Sequence, residues 1–347
     1  MKSFSSPDTT ETITLKVEWM PIWEVVLGIA GYTHEQLRHT FDMDQEWSLN
    51  KDSMSPTLVE HLKEITETNF WYGLIMLQNK LSASSVQEFS NGLTNLSVDS
   101  FYETLLPYKS REIEPIRKET AYQHDQSQSF EKYSTYFENH EFLGGYIRNL
   151  GHFSYQRICD LFNSVIKEYY NWISQQQDWE KWTQALTFEQ KQNSVLDKTK
   201  PIEEIEKVTG GVNYLPEPSV WTVKMIPHVS YRPWLLEKRT PDTKLFFYPI
   251  KEEYLVAPGV PSTELVRGHK ALGDELRLKL LYQLLKGPLS LQDLSLMFNI
   301  SKTTLHHQLS LLKAAKFIQV EKGVYSVNLR QVHSFSDRLT NYLGVKI

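Results

Sequence analysis

Hydrophobic and polar positions divide the chain into stretches of different period. Residues 12–19, Thr-Ile-Thr-Leu-Lys-Val-Glu-Trp, alternate polar and apolar with β-branched residues among them, the period of a half-buried strand. Pro21 then opens a helical stretch over 22–29, which Gly31 is expected to end. From Ser55 to Thr199 the period is helical in several pieces. Leu58, Leu62 and Ile65 make one apolar stripe, and Phe142, Tyr146 and Leu150 a second. Ile158, Leu161, Phe162, Val165 and Ile166 make a third. Residues 183–206 are polar and rich in Lys, Gln and Glu, which predicts an exposed helix with a loop.

The pattern changes near Gly210-Gly211. Residues 220–229 and 244–250 read as strands, separated by a loop with Pro233 and Pro241 that is too long for a tight hairpin. Pro258-Gly259-Val260-Pro261 reads as a linker, so the boundary is placed there, with one domain over 1–260 and a second over 264–347. No internal repeat or low-complexity tract stands out.

Beyond the linker the helices are short and well punctuated. A first helix covers 264–272. Asp274 caps a second, with Leu276, Leu280, Leu281, Leu284 and Leu285 on its apolar side, and Gly287-Pro288 stops it. Ser290 caps a third helix over 291–298, with Asp293 placed for a capping box. After Asn299-Ile300, Ser301 caps a fourth over 302–315. Residues 317–320 and 324–327 then read as two short strands around Glu321-Lys322-Gly323. Helix, helix, turn, helix and β-wing follow in order.

Composition changes this picture in two ways. With 40% hydrophobic and 12% aromatic residues the chain can build a real core, so disorder is not the default. No apolar run approaches the roughly 18–20 residues that span a bilayer. Residues 1–10 hold one lysine and no apolar stretch, so no secretory signal is expected. Cys159 is the only cysteine, which rules out an internal disulfide or a thiolate cluster. A soluble cytoplasmic protein is the expectation.

Charge is divided as well. Residues 264–347 hold 12 Lys+Arg and 6 Asp+Glu, a net of +6; the remaining 25 Lys+Arg and 36 Asp+Glu give −11, and together −5. A basic reader on an acidic body shows this asymmetry. All nine tryptophans precede residue 264.

Reading duplex DNA needs one helix to brace another that presents small polar side chains to the roughly 12 Å wide major groove. At about 100° per residue, Leu305, Leu309 and Leu312 fall on one side of the fourth helix and face the core. Thr303, His307, Ser310 and Ala314 fall opposite, with His306 and Lys313 on one flank and Thr304 and Leu311 on the other. No acid occurs over 302–315, where it would repel phosphates. The candidate DNA-binding residues are Ser301, Lys302, Thr303, Thr304, His306, His307, Ser310 and Lys313, with Lys322 in the wing.

These residues carry a resemblance. The stretches Lys270-Ala-Leu-Gly-Asp-Glu-Leu-Arg-Leu-Lys-Leu-Leu281, Ser301-Lys-Thr-Thr-Leu-His-His-Gln-Leu309 and Leu312-Lys-Ala-Ala-Lys-Phe317 resemble the ArsR/SmtB family of winged-helix regulators. Lys316 stands where that family usually has glycine, and His306 and Gln308 where it commonly has Ser and His. The resemblance covers the C-terminal region and implies a homodimer on a two-fold operator of double-stranded DNA, most often as a repressor. The family's metal sensors use paired cysteines on the first helix of the motif; residues 291–298 have none. His333 and Asp337, four apart on the last helix, make only a two-ligand pair. No metal and no cofactor are expected.

Val332, Phe335, Leu339, Tyr342 and Leu343 form an apolar stripe on that last helix, expected to meet its copy on a second subunit. Upstream, His34-Glu35 and His39 superficially resemble a zinc-protease motif, but histidines five apart do not share a helix face. Tyr231, Trp234, Phe246, Phe247 and Tyr248, or Trp19, Trp23, Trp71 and Tyr72, can line an apolar pocket or simply be core. No catalytic constellation is visible. The expectation is a mostly α chain with minor β: an N-terminal α+β sensor or dimerisation domain, open to an unknown small-molecule effector, before a winged helix-turn-helix. The rival readings are a winged helix that docks protein, or one appended to an enzyme domain.

Overall fold

The computed structural model describes residues 13–49, 51–255 and 260–343. Two compact units emerge: Met1–His34 with Leu49–Ile250, and Glu35–Ser48 with Lys251–Ile347. The division, after Ile250, therefore lies ten residues before the expected domain end at 260 and ahead of the expected linker, part of which falls outside the described residues. A short piece of the supposed N-terminal domain, 35–48, groups with the C-terminal unit. Trp47 goes with it, so the tryptophans are not confined to the first unit.

The first unit is a small sheet embedded in helices. Strands β1 (Thr14–Val17), β2 (Thr222–His228), β3 (Leu236–Arg239) and β4 (Thr243–Pro249) lie in the order β1-β2-β4-β3. The first three in space are parallel, with Thr14 opposite Thr222 and Thr222 opposite Thr243; β3 runs antiparallel along the edge. That edge strand occupies part of the stretch expected to be loop, because its Leu-Glu-Lys-Arg carries no apolar alternation to announce it.

Parallel strands need both faces covered, and side-chain alternation supplies two apolar faces. Phe246 and Tyr248 of β4 join Val223, Met225, Ile205 and Val208 in one core cluster. Phe247 faces the other way, where Trp23 meets it edge-on at 5.2 Å. Trp23 belongs to the Pro21–Thr33 helix, which is buried almost throughout. Gly31 does not end it; the helix runs on to Thr33, where the His34 amide closes it on the Gly31 carbonyl at 3.2 Å. The expected stripes hold: Leu58, Leu62 and Ile65 are buried, as are Ile158, Leu161, Phe162, Val165 and Ile166 of the Tyr155–Ile173 helix. Residues 183–206 are less exposed than expected, since Ala185, Leu186, Glu189 and Ile205 are all buried.

Beside the 35–48 segment, with its short Asp44–Leu49 helix, the second unit runs through Thr263–Leu272, Glu275–Lys286, Leu291–Phe298 and Lys302–Ala314, then a wing and a last helix, Leu329–Leu343. The wing pairs β6 (Ile318–Glu321) with β7 (Val324–Val327), and a two-residue strand β5 (Leu289–Ser290) pairs with β7 from its other side. Glu321 sits opposite Val324, leaving Lys322 (φ 50°) and Gly323 (φ 80°) as a two-residue turn, the geometry that matches strand twist in tight hairpins. Leu280, Leu281, Leu284, Leu294, Leu305, Leu309, Leu312, Phe317 and Phe335 form the core. Leu285, expected on the apolar side, is 54% exposed. Among the described residues no helix is long and apolar enough to cross a membrane.

Candidate nucleic-acid interface

Local hydrogen bonds hold each helix of this unit in place. Asp274 accepts from the Arg277 amide at 3.0 Å, and Ser301 from the Thr304 amide at 3.1 Å. Ser290 and Asp293 form a reciprocal capping box. Side-chain caps of this kind satisfy amides that a helix leaves without partners, each worth about 1 kcal/mol. Arg277, which sequence reasoning passed over, then ties three elements together. Its guanidinium donates to the Ala271 and Lys270 carbonyls at 2.6 and 2.8 Å, closing the end of the Thr263–Leu272 helix. A third bond, 2.8 Å to Gln308 Oε1, fixes the Glu275–Lys286 helix to Lys302–Ala314.

The Lys302–Ala314 helix buries Leu305, Leu309 and Leu312, as its period predicts. Ser301, Lys302, Thr303, Thr304, His306, His307 and Lys313 are exposed. Lys322 is exposed at the wing tip. Surrounding protein nevertheless lowers the Lys313 pKa by desolvation. Eight of the nine expected DNA-contacting side chains therefore face solvent. Ser310 does not. It is buried, as is Ala314, and its hydroxyl donates to the His306 carbonyl at 2.7 Å. A period-based reading placed both outward, but a second surface packs along this helix: the Arg38–Thr40 turn of the 35–48 segment. The imidazoles of His39 and His307 meet there at 4.6 Å between centroids. Asp42 of the same segment forms an ion pair with Arg267 on the Thr263–Leu272 helix.

The apolar stripe of the last helix also divides. Phe335 is buried in the unit's own core, 5.2 Å from the Phe317 ring, and Leu339 packs partly buried against the same cluster. Neither is a free seam residue; a domain this small spends its largest side chains on itself. Val332, Tyr342 and Leu343 stay exposed, at 37%, 42% and 60%. His333 is exposed, and the Asp337 side chain lies outside the described ones. No group of three or more metal-binding side chains occurs among the described residues.

Capped helices, a short turn and a β-wing in this order define a winged helix-turn-helix domain. Residues 274–320 match the family model described as bacterial regulatory protein, arsR family, so the C-terminal unit carries the helix-turn-helix of DNA-binding transcription regulators. No curated protein and no solved structure matches the chain.

Proposed function

We propose that this protein is a transcriptional repressor that binds a two-fold operator as a homodimer, with its first unit serving regulation and not catalysis. One observation carries the reading: the acid-free Lys302–Ala314 helix exposes Lys302, Thr303, Thr304, His306, His307 and Lys313 beside the Lys322 wing tip. Small hydroxyls and imidazoles suit base edges, and lysines suit phosphates. Val332, Tyr342 and Leu343 offer exposed apolar surface for a second copy, as the family resemblance implies. A protection footprint on DNA upstream of the protein's own gene tests this reading. A protected two-fold sequence, bound with a steep salt dependence, is expected. Salt-independent binding, or none, would end it. Light scattering on the free protein checks the dimer.

A further inference from the structure

The 35–48 segment is acidic. It holds Glu35, Asp42, Asp44 and Glu46 against Arg38 alone among Lys and Arg, four acids less one base, a net of −3. Its Arg38–Thr40 turn packs on the one helix of the unit that presents an acid-free polar face. Within that turn the His39 ring meets that of His307, one of the exposed residues of the expected reading face. Asp42 engages Arg267, and burial lowers the Arg267 pKa to about 10. The segment is also folded: the amides of Thr40, Phe41, Asp44 and Trp47 donate to Leu37, Arg38, Phe41 and Met43 carbonyls at 2.8 to 3.3 Å. Both its ends continue in the chain into the first unit, at His34 and Leu49.

From these observations we infer that residues 35–48 are an acidic strap that masks the His307 side of the DNA-reading helix and must leave it before DNA can bind. The inference rests on the proposed DNA-binding function and adds its regulation. Two physical arguments support masking over assistance. A side chain in contact with His307 occupies the space a base pair would take, since a groove-inserted helix has its outer face against base edges. A net-negative segment at that face adds repulsion against phosphates, where a strap that helped DNA binding would carry positive charge. The strap is continuous with the first unit at both ends, so an event there that stabilises the released form shifts DNA affinity by the same factor.

Electrophoretic mobility and fluorescence anisotropy on the full-length chain, with a mixed-sequence 40-bp duplex as probe, test this. The comparison is between the wild type and the double variant His39→Ala/Asp42→Ala, neither residue lying on the reading helix. The variant should bind at least about tenfold tighter at equal salt. Hydrogen exchange on the wild type gives a second measurement that needs no variant to fold. Saturating duplex should raise exchange at Thr40, Phe41 and Asp44 while protecting the amides of 302–313. Equal affinity of the two proteins, or strap amides protected by DNA, would overturn masking and leave the DNA-binding reading standing. Weaker binding by a folded variant would make the strap part of the reading surface. Failure of both proteins to bind the duplex in a salt-dependent way would instead remove the DNA-binding reading, and masking with it.

Discussion

The rings of His39 and His307 meet with centroids 4.6 Å apart and planes tilted by 36°, although 268 positions (307 minus 39) separate them in the chain. Burial lowers the His39 pKa, His307 lowers it further, and Asp44 within the segment acts in the opposite sense. The docked segment therefore favours a neutral His39. In the undocked segment the imidazole returns to its ordinary value near 6.5. Below that pH the undocked form binds more protons, so docking weakens as pH falls, and above it docking is at full strength. Exchange at the Phe41 and Asp44 amides, corrected for intrinsic rates, should quicken between pH 7.5 and 5.5 by up to about tenfold per pH unit. His39→Gln should flatten that dependence. An unchanged slope in the variant would show that another group governs docking.

Base-reading and phosphate-binding residues should separate in mutagenesis. Thr303→Ala should cost about 1–3 kcal/mol at a specific site and much less on random duplex. Lys322→Ala, at the exposed wing tip, should weaken both about equally and reduce the salt slope by about one. Titrations of both variants at several salt concentrations distinguish the roles. A uniform loss for Thr303→Ala would remove it from base contact.

Lys316 has φ 62°, a left-handed backbone that costs a side-chain-bearing residue about 1–2 kcal/mol. The reason is visible in the bonds around it. Lys316 N donates to the Lys313 carbonyl at 2.9 Å and Phe317 N to Leu312 at 3.0 Å, the paired closure that ends a helix with a left-handed residue. Leu312 and Phe317, both buried, complete it with an apolar contact in the core. Glycine, which the resembling family usually places here, pays no such cost. Lys316→Gly should therefore raise the stability of the C-terminal unit by about 1 kcal/mol, less what its 3.7 Å ion pair with Glu264 contributes. Denaturant unfolding followed by exchange at the Leu280 and Leu309 amides reads the change. A lower midpoint would show that the ion pair outweighs the strain.

Gly268 lets the Thr263–Leu272 helix approach the last helix. A Cβ on it would lie 2.1 Å from the Phe335 ring. Gly268→Ala should destabilise the C-terminal unit by about 1–3 kcal/mol through overpacking, and Phe335→Leu should partly rescue it. Calorimetry over a tenfold dilution series makes the test sharp. A penalty that vanishes on dilution would put Phe335 at a subunit seam and not in the unit's own core.

What the sequence made legible was local. Asp274, Ser290 and Ser301 act within three residues of themselves, so their caps could be recognised, and they are present. Stripes such as Ile158 to Ile166 reveal a buried face, and that face is buried. Period does not reveal what a face is buried against. Phe335 and Val332 belong to one stripe, yet one fills the core and the other faces outward. Ser310 and Ala314 lie on the outward side by period and are buried nonetheless. The strap was illegible for the same reason. Nothing in Arg38-His39-Thr40 specifies a partner beyond residue 260, and two-residue β5 is too short to carry any period.

Acid should act on the first unit through buried groups of opposite sign, and Glu24 is the one that can be isolated. Its carboxylate accepts from the Val229 amide at 3.1 Å, the Ser230 amide at 2.8 Å and the Ser230 hydroxyl at 2.7 Å. Complete burial outweighs these bonds and pushes its pKa up to about 7, while burial pushes His34 down to about 4 and His228 down to about 3. Between their native values and 6.5 the histidines bind protons only when unfolded, so they make stability rise with pH. Glu24 does the reverse. Between about 4.5 and 7 the native state holds its proton and the unfolded state does not, so its contribution falls as pH rises, by about 3 kcal/mol at most. Glu24→Gln removes the titration while keeping the shape, although its amide nitrogen meets donors and lowers stability throughout. The wild-type minus variant difference in unfolding free energy, measured from pH 4.5 to 7.5, should therefore shrink as pH rises and level off above 7. A difference that grows with pH would mean that the three donors overcome burial and hold Glu24 ionised.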